Sequence, residues 1–257
     1  MKETTLIVKE KVHPKNAVLI EGLPGQGLVG KIAADFLAKQ LKAKKIAELY
    51  SPHFAYYVLV DKKGAVRLLR SEFYYWKNEQ AENDLILLTG DSQPQTIEGQ
   101  YEVADAILDF AQKNNVSLVL TIGGYRTNAM DRPGVLASAT NQALLDKALK
   151  AGAKNSPSGS PIVGTAGLLI GLAKFRKIEA LCLLVETPGY LPDPQAAKSV
   201  LDIVSRMLGF EVDLSGLDKD IHRSKQIEER MRRIEEQRRI SERRRRKIDE
   251  EKVTYIS

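Results

Sequence analysis

The chain has 257 residues, 43% of them apolar, and a formal net charge of +6, enough for one large domain with its own core and a smaller appendage. Its single cysteine, Cys182, excludes an intrachain disulfide framework and points to a reducing compartment. No apolar leader opens the chain, and its longest apolar stretch, 162–173, is glycine-interrupted and too short to span a bilayer, so a soluble, cytoplasmic protein is expected. The charge is unevenly placed. Between 219 and 252 stand fourteen Lys and Arg against nine Asp and Glu. The body is therefore near neutral, unlike a compact nucleic-acid-binding domain.

In chain order, residues 5–8 read as an edge strand, and Pro14 precedes a short buried strand at 17–20. Pro24, Gly25 and Gly27 break that strand. From Leu28 the apolar positions Ile32, Phe36, Leu37 and Leu41 follow a helical period, giving the first βα unit of a layered α/β domain. The turn between them fits two phosphate-binding patterns, G-x-G-x-x-G at 25–30 and G-x-x-x-x-G-K at 25–31. Both are incomplete. Ile32 occupies the position where a magnesium-binding hydroxyl is required, and no acid closes the second strand, 46–50, where a ribose would need one; Glu48 lies mid-strand. The favoured reading is that these glycines permit a tight turn and close helix–sheet packing.

Strands are expected at 55–60 and 66–75, joined as a hairpin through Lys62, Lys63 and Gly64. The aromatic run at 73–76 is read as core packing or a subunit contact. A buried strand at 84–89, an amphipathic helix at 97–115 and a strand at 117–122 follow. Glycine-marked strand ends at 22–27, 90–94 and 123–125 have the geometry of a crevice, as do ordinary α/β turns. Beyond them come a strand at 135–140, a helix at 141–150, a mobile loop at 155–161 and a tight helix at 168–173. The last core strand, 179–185, enters a loop stiffened by three prolines at 186–194, and a helix at 195–208 ends at Gly209.

Catalytic groupings are scarce. His13, His53 and His222 are isolated in sequence, no G-x-S-x-G elbow occurs, and Cys182 sits within an apolar run as a core thiol. Asp91 and Glu186 lie near strand ends, where they could pair for acid–base work or bond turn amides, the commoner use.

Five segments, in order across about 15–210, resemble the proteasome assembly chaperone 2 family in its archaeal form: EGLPGQGLVG at 21–30, GDSQP at 90–94, TIGGY at 121–125, GTAGL at 164–168 and ETPGYLPDP at 186–194. The resemblance implies a three-layer α/β/α sandwich similar to nucleoside phosphorylases and peptidyl hydrolases. It implies no enzymatic activity and no cofactor. It also implies self-association, with a paralogue as a further possible partner, and action on the 20S proteasome. Some archaeal members end in a hydrophobic residue, tyrosine and any residue, a motif that docks between α-subunits of the ring. This chain ends in Val253, Thr254, Tyr255, Ile256 and Ser257, with the tyrosine third from the end rather than second. Val253, Tyr255, Ile256 and Ser257 are the expected proteasome-binding residues.

The division expected is an α/β body, 1–212, and a charged helical tail, 213–257. Ile227, Met231 and Ile234 begin an apolar seam that Arg238, Ser241 and Arg245 interrupt, so a long self-coiled coil is not expected. Two alternatives stand beside the chaperone reading: a nucleotide-dependent enzyme using the turn at 25–31, and a nucleic-acid-associated protein using the basic block 243–247. Acidic residues interleaved through the tail, among them Glu228, Glu229, Glu235, Glu236 and Glu242, argue against the second.

Overall fold

The computed structural model describes residues 1–79, 81–127 and 133–254, except for the side chains of 235 and of 240 onward. In chain order the elements are β1 (Thr5–Val8), β2 (Ala17–Gly22), α1 (Val29–Gln40), β3 (Lys44–Tyr50), β4 (Val58–Val60), β5 (Val66–Leu68), β6 (Ser71–Trp76), β7 (Leu85–Gly90), α2 (Ile97–Lys113), β8 (Val116–Arg126), β9 (Val135–Ala139), α3 (Gln142–Lys150), β10 (Lys154–Asn155), α4 (Thr165–Phe175), β11 (Glu179–Thr187), α5 (Pro194–Leu208) and α6 (Asp218–Thr254).

Nine strands form one sheet in the order β1-β3-β6-β7-β2-β8-β11-β9-β10. Its centre, β7-β2-β8-β11, is parallel, and antiparallel pairs flank it on both sides. The central strands are apolar on both faces because both faces are covered. Val18, Ile20, Leu120 and Leu183 face a core shared with residues of α1, α3 and α5, while Leu19, Ile86, Val119 and Ala180 face one shared with α2 and α4. This is the expected three-layer α/β/α sandwich. Side-chain oxygens of Thr96, Asn141 and Asp193 accept the amides of Gly99, Leu144 and Ala196 in the first turns of α2, α3 and α5, and Gly209 closes α5 at φ 71°.

Four local expectations change. The run 66–75 is two strands, not one: the chain bends at buried Leu69 and at Arg70, so β5 pairs only with β4 in a separate two-stranded ribbon. β8 continues through Gly123 and Gly124 to Arg126 because β11 pairs with it that far. β10 occupies the start of the loop expected at 155–161. α4 begins at Thr165, where Gly167 lets the first turn pack on the carbonyl of Ile162.

The aromatic run is core. Phe73 is fully buried with its ring centroid 4.3 Å from that of Phe110, and Trp76 lies 6.0 Å from Phe210. A contiguous exposed apolar face lies instead on the β4–β5 ribbon, where Val58 pairs with Leu68 and Val60 with Val66. At its tail end the chain stays rooted in the body: Leu217 is buried, Ile221 packs on the α1/α5 core, and Lys198 pairs with Asp218 at 2.5 Å.

Candidate functional site

The glycine-rich turn sits where the C-terminal ends of β2, β8 and β11 meet. Its glycines are points of close backbone approach. A Cβ on Gly22 would lie 2.1 Å from the Gly30 carbonyl oxygen, and one on Gly30 would lie 2.2 Å from that of Ile122. Gly27 adopts φ 59°, in the left-handed region that glycine enters at no steric cost. A phosphate cradle needs free amides, but the Gly27 amide donates to the Gly189 carbonyl at 3.3 Å, and the Gly27 carbonyl accepts from the Asp193 amide at 2.8 Å. Lys31 pairs with Asp35 at 3.0 Å, and Ile32 lines an apolar groove with Leu191 and Ile227. The turn is thus spent on packing and on holding the loop 187–194.

Beside it opens a crevice of about 650 Å³, lined by Glu21, Leu23, Gln93, Gly124, Arg126 and Val163 among others. It brings together all three expected strand ends, through Gly25 and Gln26 of the glycine turn, Gln93, and Gly123 with Tyr125. Glu21 forms its least expected feature. This acid is 1% exposed; its Oε1 accepts the Leu23 amide at 2.9 Å, and its Oε2 has no partner among the described residues. Burial pushes its pKa up to about 7 against the lowering effect of the Leu23 amide. Thr121 on β8 and Cys182 on β11 are its neighbours in register across the sheet. Burial likewise pushes the Cys182 thiol up to about 12, which makes it an inert core group. An acid inside an otherwise apolar strand, 17–22, is the sequence signal for Glu21.

Asp91 and Glu186 share no partner. Asp91 accepts a bidentate pair from Arg67, at 2.5 and 3.0 Å, and the Arg70 amide at 3.1 Å, while Glu186 accepts the Gly134 amide at 2.9 Å. Both do turn work. His53 is not isolated in space: its Nδ1 lies 2.9 Å from Thr96 Oγ1 and its Nε2 lies 3.3 Å from Glu102. That hydroxyl–imidazole–carboxylate row has the order of a nucleophilic relay, but Thr96 Oγ1 caps α2 by accepting the Gly99 amide at 3.0 Å, and Glu102 is held by the Thr4 amide at 2.6 Å. Neither crevice nor groove is lined by these three residues. The row braces the N-terminal segment against α2. Among the described residues no group of three or more His, Cys, Asp or Glu could hold a metal, and no helix is long and apolar enough to cross a membrane.

On its outer side the loop 187–194 meets the base of α6. The Ser224 hydroxyl donates to the Pro192 carbonyl at 2.9 Å, and the Tyr190 hydroxyl donates to Glu228 at 3.0 Å. α6 runs 37 residues to Thr254, about 55 Å at 1.5 Å per residue. Val253 lies within it. Tyr255, Ile256 and Ser257, the remaining expected docking residues, lie outside the described residues, as do the side chains of the basic block 243–247.

The model of the PAC2 family matches residues 19–235, and the chain belongs to that family. It is 32% identical over 234 residues to an uncharacterized protein of Methanocaldococcus jannaschii, spanning 91% of this chain and 90% of the relative. Among solved structures it is similar to PbaB of Pyrococcus furiosus, described as an archaeal proteasome activator: TM-score 0.84, 42% identity, over 91% of this chain and 100% of that one. It is also similar to PbaA of the same organism, described as an archaeal homolog of proteasome-assembly chaperone: TM-score 0.73, 31% identity, over 100% of both chains.

Proposed function

We propose that the protein is a non-enzymatic proteasome assembly chaperone or activator: a self-associating body of about residues 1–212 that carries tails, 213–257, to the α-subunit ring of the 20S proteasome. The observation that carries this reading is the extensive likeness to PbaB in sequence and fold. The geometry of the glycine turn supports it against the nucleotide-dependent alternative, since the Gly27 amide is already engaged by Gly189. Calorimetric titration with ATP-Mg²⁺ or NAD is expected to give no heat; a micromolar affinity abolished by Lys31→Ala would refute the chaperone reading.

The exposed apolar face of the β4–β5 ribbon supports self-association, because contiguous apolar patches of this kind mark contacts. Light scattering on the intact chain at micromolar concentration should give a multimer, and a clean monomer would remove the body's part in the proposal. Several tails on one multimer gain avidity, and a terminal carboxylate beside an apolar pair suits a pocket with a cation at its base. The deciding measurement is surface-plasmon binding to immobilised 20S particles. The intact chain should bind, while Tyr255→Ala and removal of the last three residues should each weaken binding at least tenfold. Equal binding by all three would exclude the tip as the docking element.

A further inference from the structure

The loop 187–194 is held from both sides. Inward, Gly189 and Asp193 bond the two backbone groups of Gly27, and Thr187 Oγ1 donates to Asp193 at 2.8 Å while accepting the Gly189 amide at 3.2 Å. Outward, Pro192 and Tyr190 bond Ser224 and Glu228, one turn apart on α6. Between these bonds Ile32, Leu191 and Ile227 line the apolar groove, about 320 Å³ in volume, that separates α1 from α6. Pro188, Pro192 and Pro194 restrict the loop's own backbone. The core anchors of α6 end at Ile221, so the loop carries the helix's attachment about two turns further.

That extension matters because of leverage. From Glu228 to Thr254 the helix projects about 40 Å, and a tilt of about 20° at its base would swing the far end by about 13 Å. We propose that the loop 187–194 is the seat that aims α6. Tyr190 and the Pro192 carbonyl are its positioning contacts, and the glycine turn is the footing that holds the seat in place. The glycine pattern at 25–30 then serves the direction of the tail rather than a phosphate. Beyond Ile221 these contacts set the aim of the helix; its consequence for docking rests on the function proposed above.

The test uses the full chain carrying Tyr190→Phe together with Ser224→Ala, read by amide hydrogen exchange. Exchange across 222–230 should rise at least tenfold with no change in the protection of β2, β8 and β11. Ser224→Thr, which keeps the hydroxyl, should exchange as the parent does. Gly27→Ala should raise exchange in the same α6 segment although it touches no residue of α6, because a Cβ there would lie 2.7 Å from Thr187 Oγ1 and displace the seat. Unchanged exchange in the double variant overturns the proposal, and a rise confined to the glycine turn in Gly27→Ala overturns the footing. Binding to immobilised 20S particles separates the two readings. If removal of the last three residues abolishes binding, the docking reading stands, and a double variant that then binds as the parent does overturns the role of aim in docking. If the intact chain fails to bind, the docking reading fails, while the exchange result still decides the seat.

Discussion

Two carboxylates in the same sheet meet opposite fates. Glu21 lies under the crevice with one oxygen bonded to an amide and the other unpartnered, and burial carries its pKa up to about 7. Glu48 on β3 is nearly as buried but is ringed by Lys9 at 3.2 Å, Lys45 at 3.0 Å and Arg70 at 3.1 Å. Burial alone would raise Glu48 too, yet its bonds to Lys45 and Lys9 and the Arg70 charge outweigh it and hold the group down at about 2. Glu72, Tyr50 and Tyr74 extend this network along β3 and β6. Burial therefore does not set the charge of an acid in this sheet; the supply of donors does.

The largest expected effect comes from breaking the well-supplied acid. Glu48→Gln should cost about 3 kcal/mol at pH 7, because it removes one of the two carboxylates that Lys45 and Arg70 share and leaves Glu72 to face both cations. Glu48 has a lowered pKa, so its contribution is full above about 4.5 and is lost as pH falls through about 2. Denaturant midpoints of parent and variant should converge toward that lower limit. A constant gap across pH 2–7 would contradict the network.

Glu21 should behave in the reverse sense. A raised pKa means stability is full below about 4.5 and falls as pH rises through about 7. Glu21→Gln keeps an oxygen for the Leu23 amide and removes the ionisation. It should therefore stabilise the chain by about 2 kcal/mol at pH 8 and by much less at pH 5. Thermal melts at the two pH values check this, and a loss of stability at pH 8 would mean that the anion is wanted there. The smallest effect sharpens the contrast from the rim. Lys9 is half exposed, so Lys9→Ala should cost about 0.5 kcal/mol or less and weaken further in salt.

Legibility in the sequence followed the range of the interaction. β2, α2 and α5 were readable from apolar period, and the end of α5 from Gly209, since strand burial and helix stops are written within a few residues. The break at Leu69 and Arg70 was not, because it depends on Arg70 reaching Glu48 and Glu72 on the neighbouring strands. The continuation of β8 depends on pairing with a strand some sixty residues later. The five family segments were legible as a set, and all five converge on the crevice, which Glu21, Gln93, Ile122, Gly164 and Gly189 line in turn. What each does there was not legible. The partners of Gly27 are Gly189 and Asp193, and no local pattern states that a backbone amide is already taken.

The lone thiol has a practical consequence. Cys182 lies in the middle of a central strand, 1% exposed, between β8 and β9, with its ionisation pushed far above neutral pH. Toward maleimides and methanethiosulfonates at pH 7 the folded chain behaves as if it had no cysteine. Any single cysteine placed on the surface, along α6 included, can then carry a fluorophore or spin label at one defined position without first removing the native thiol.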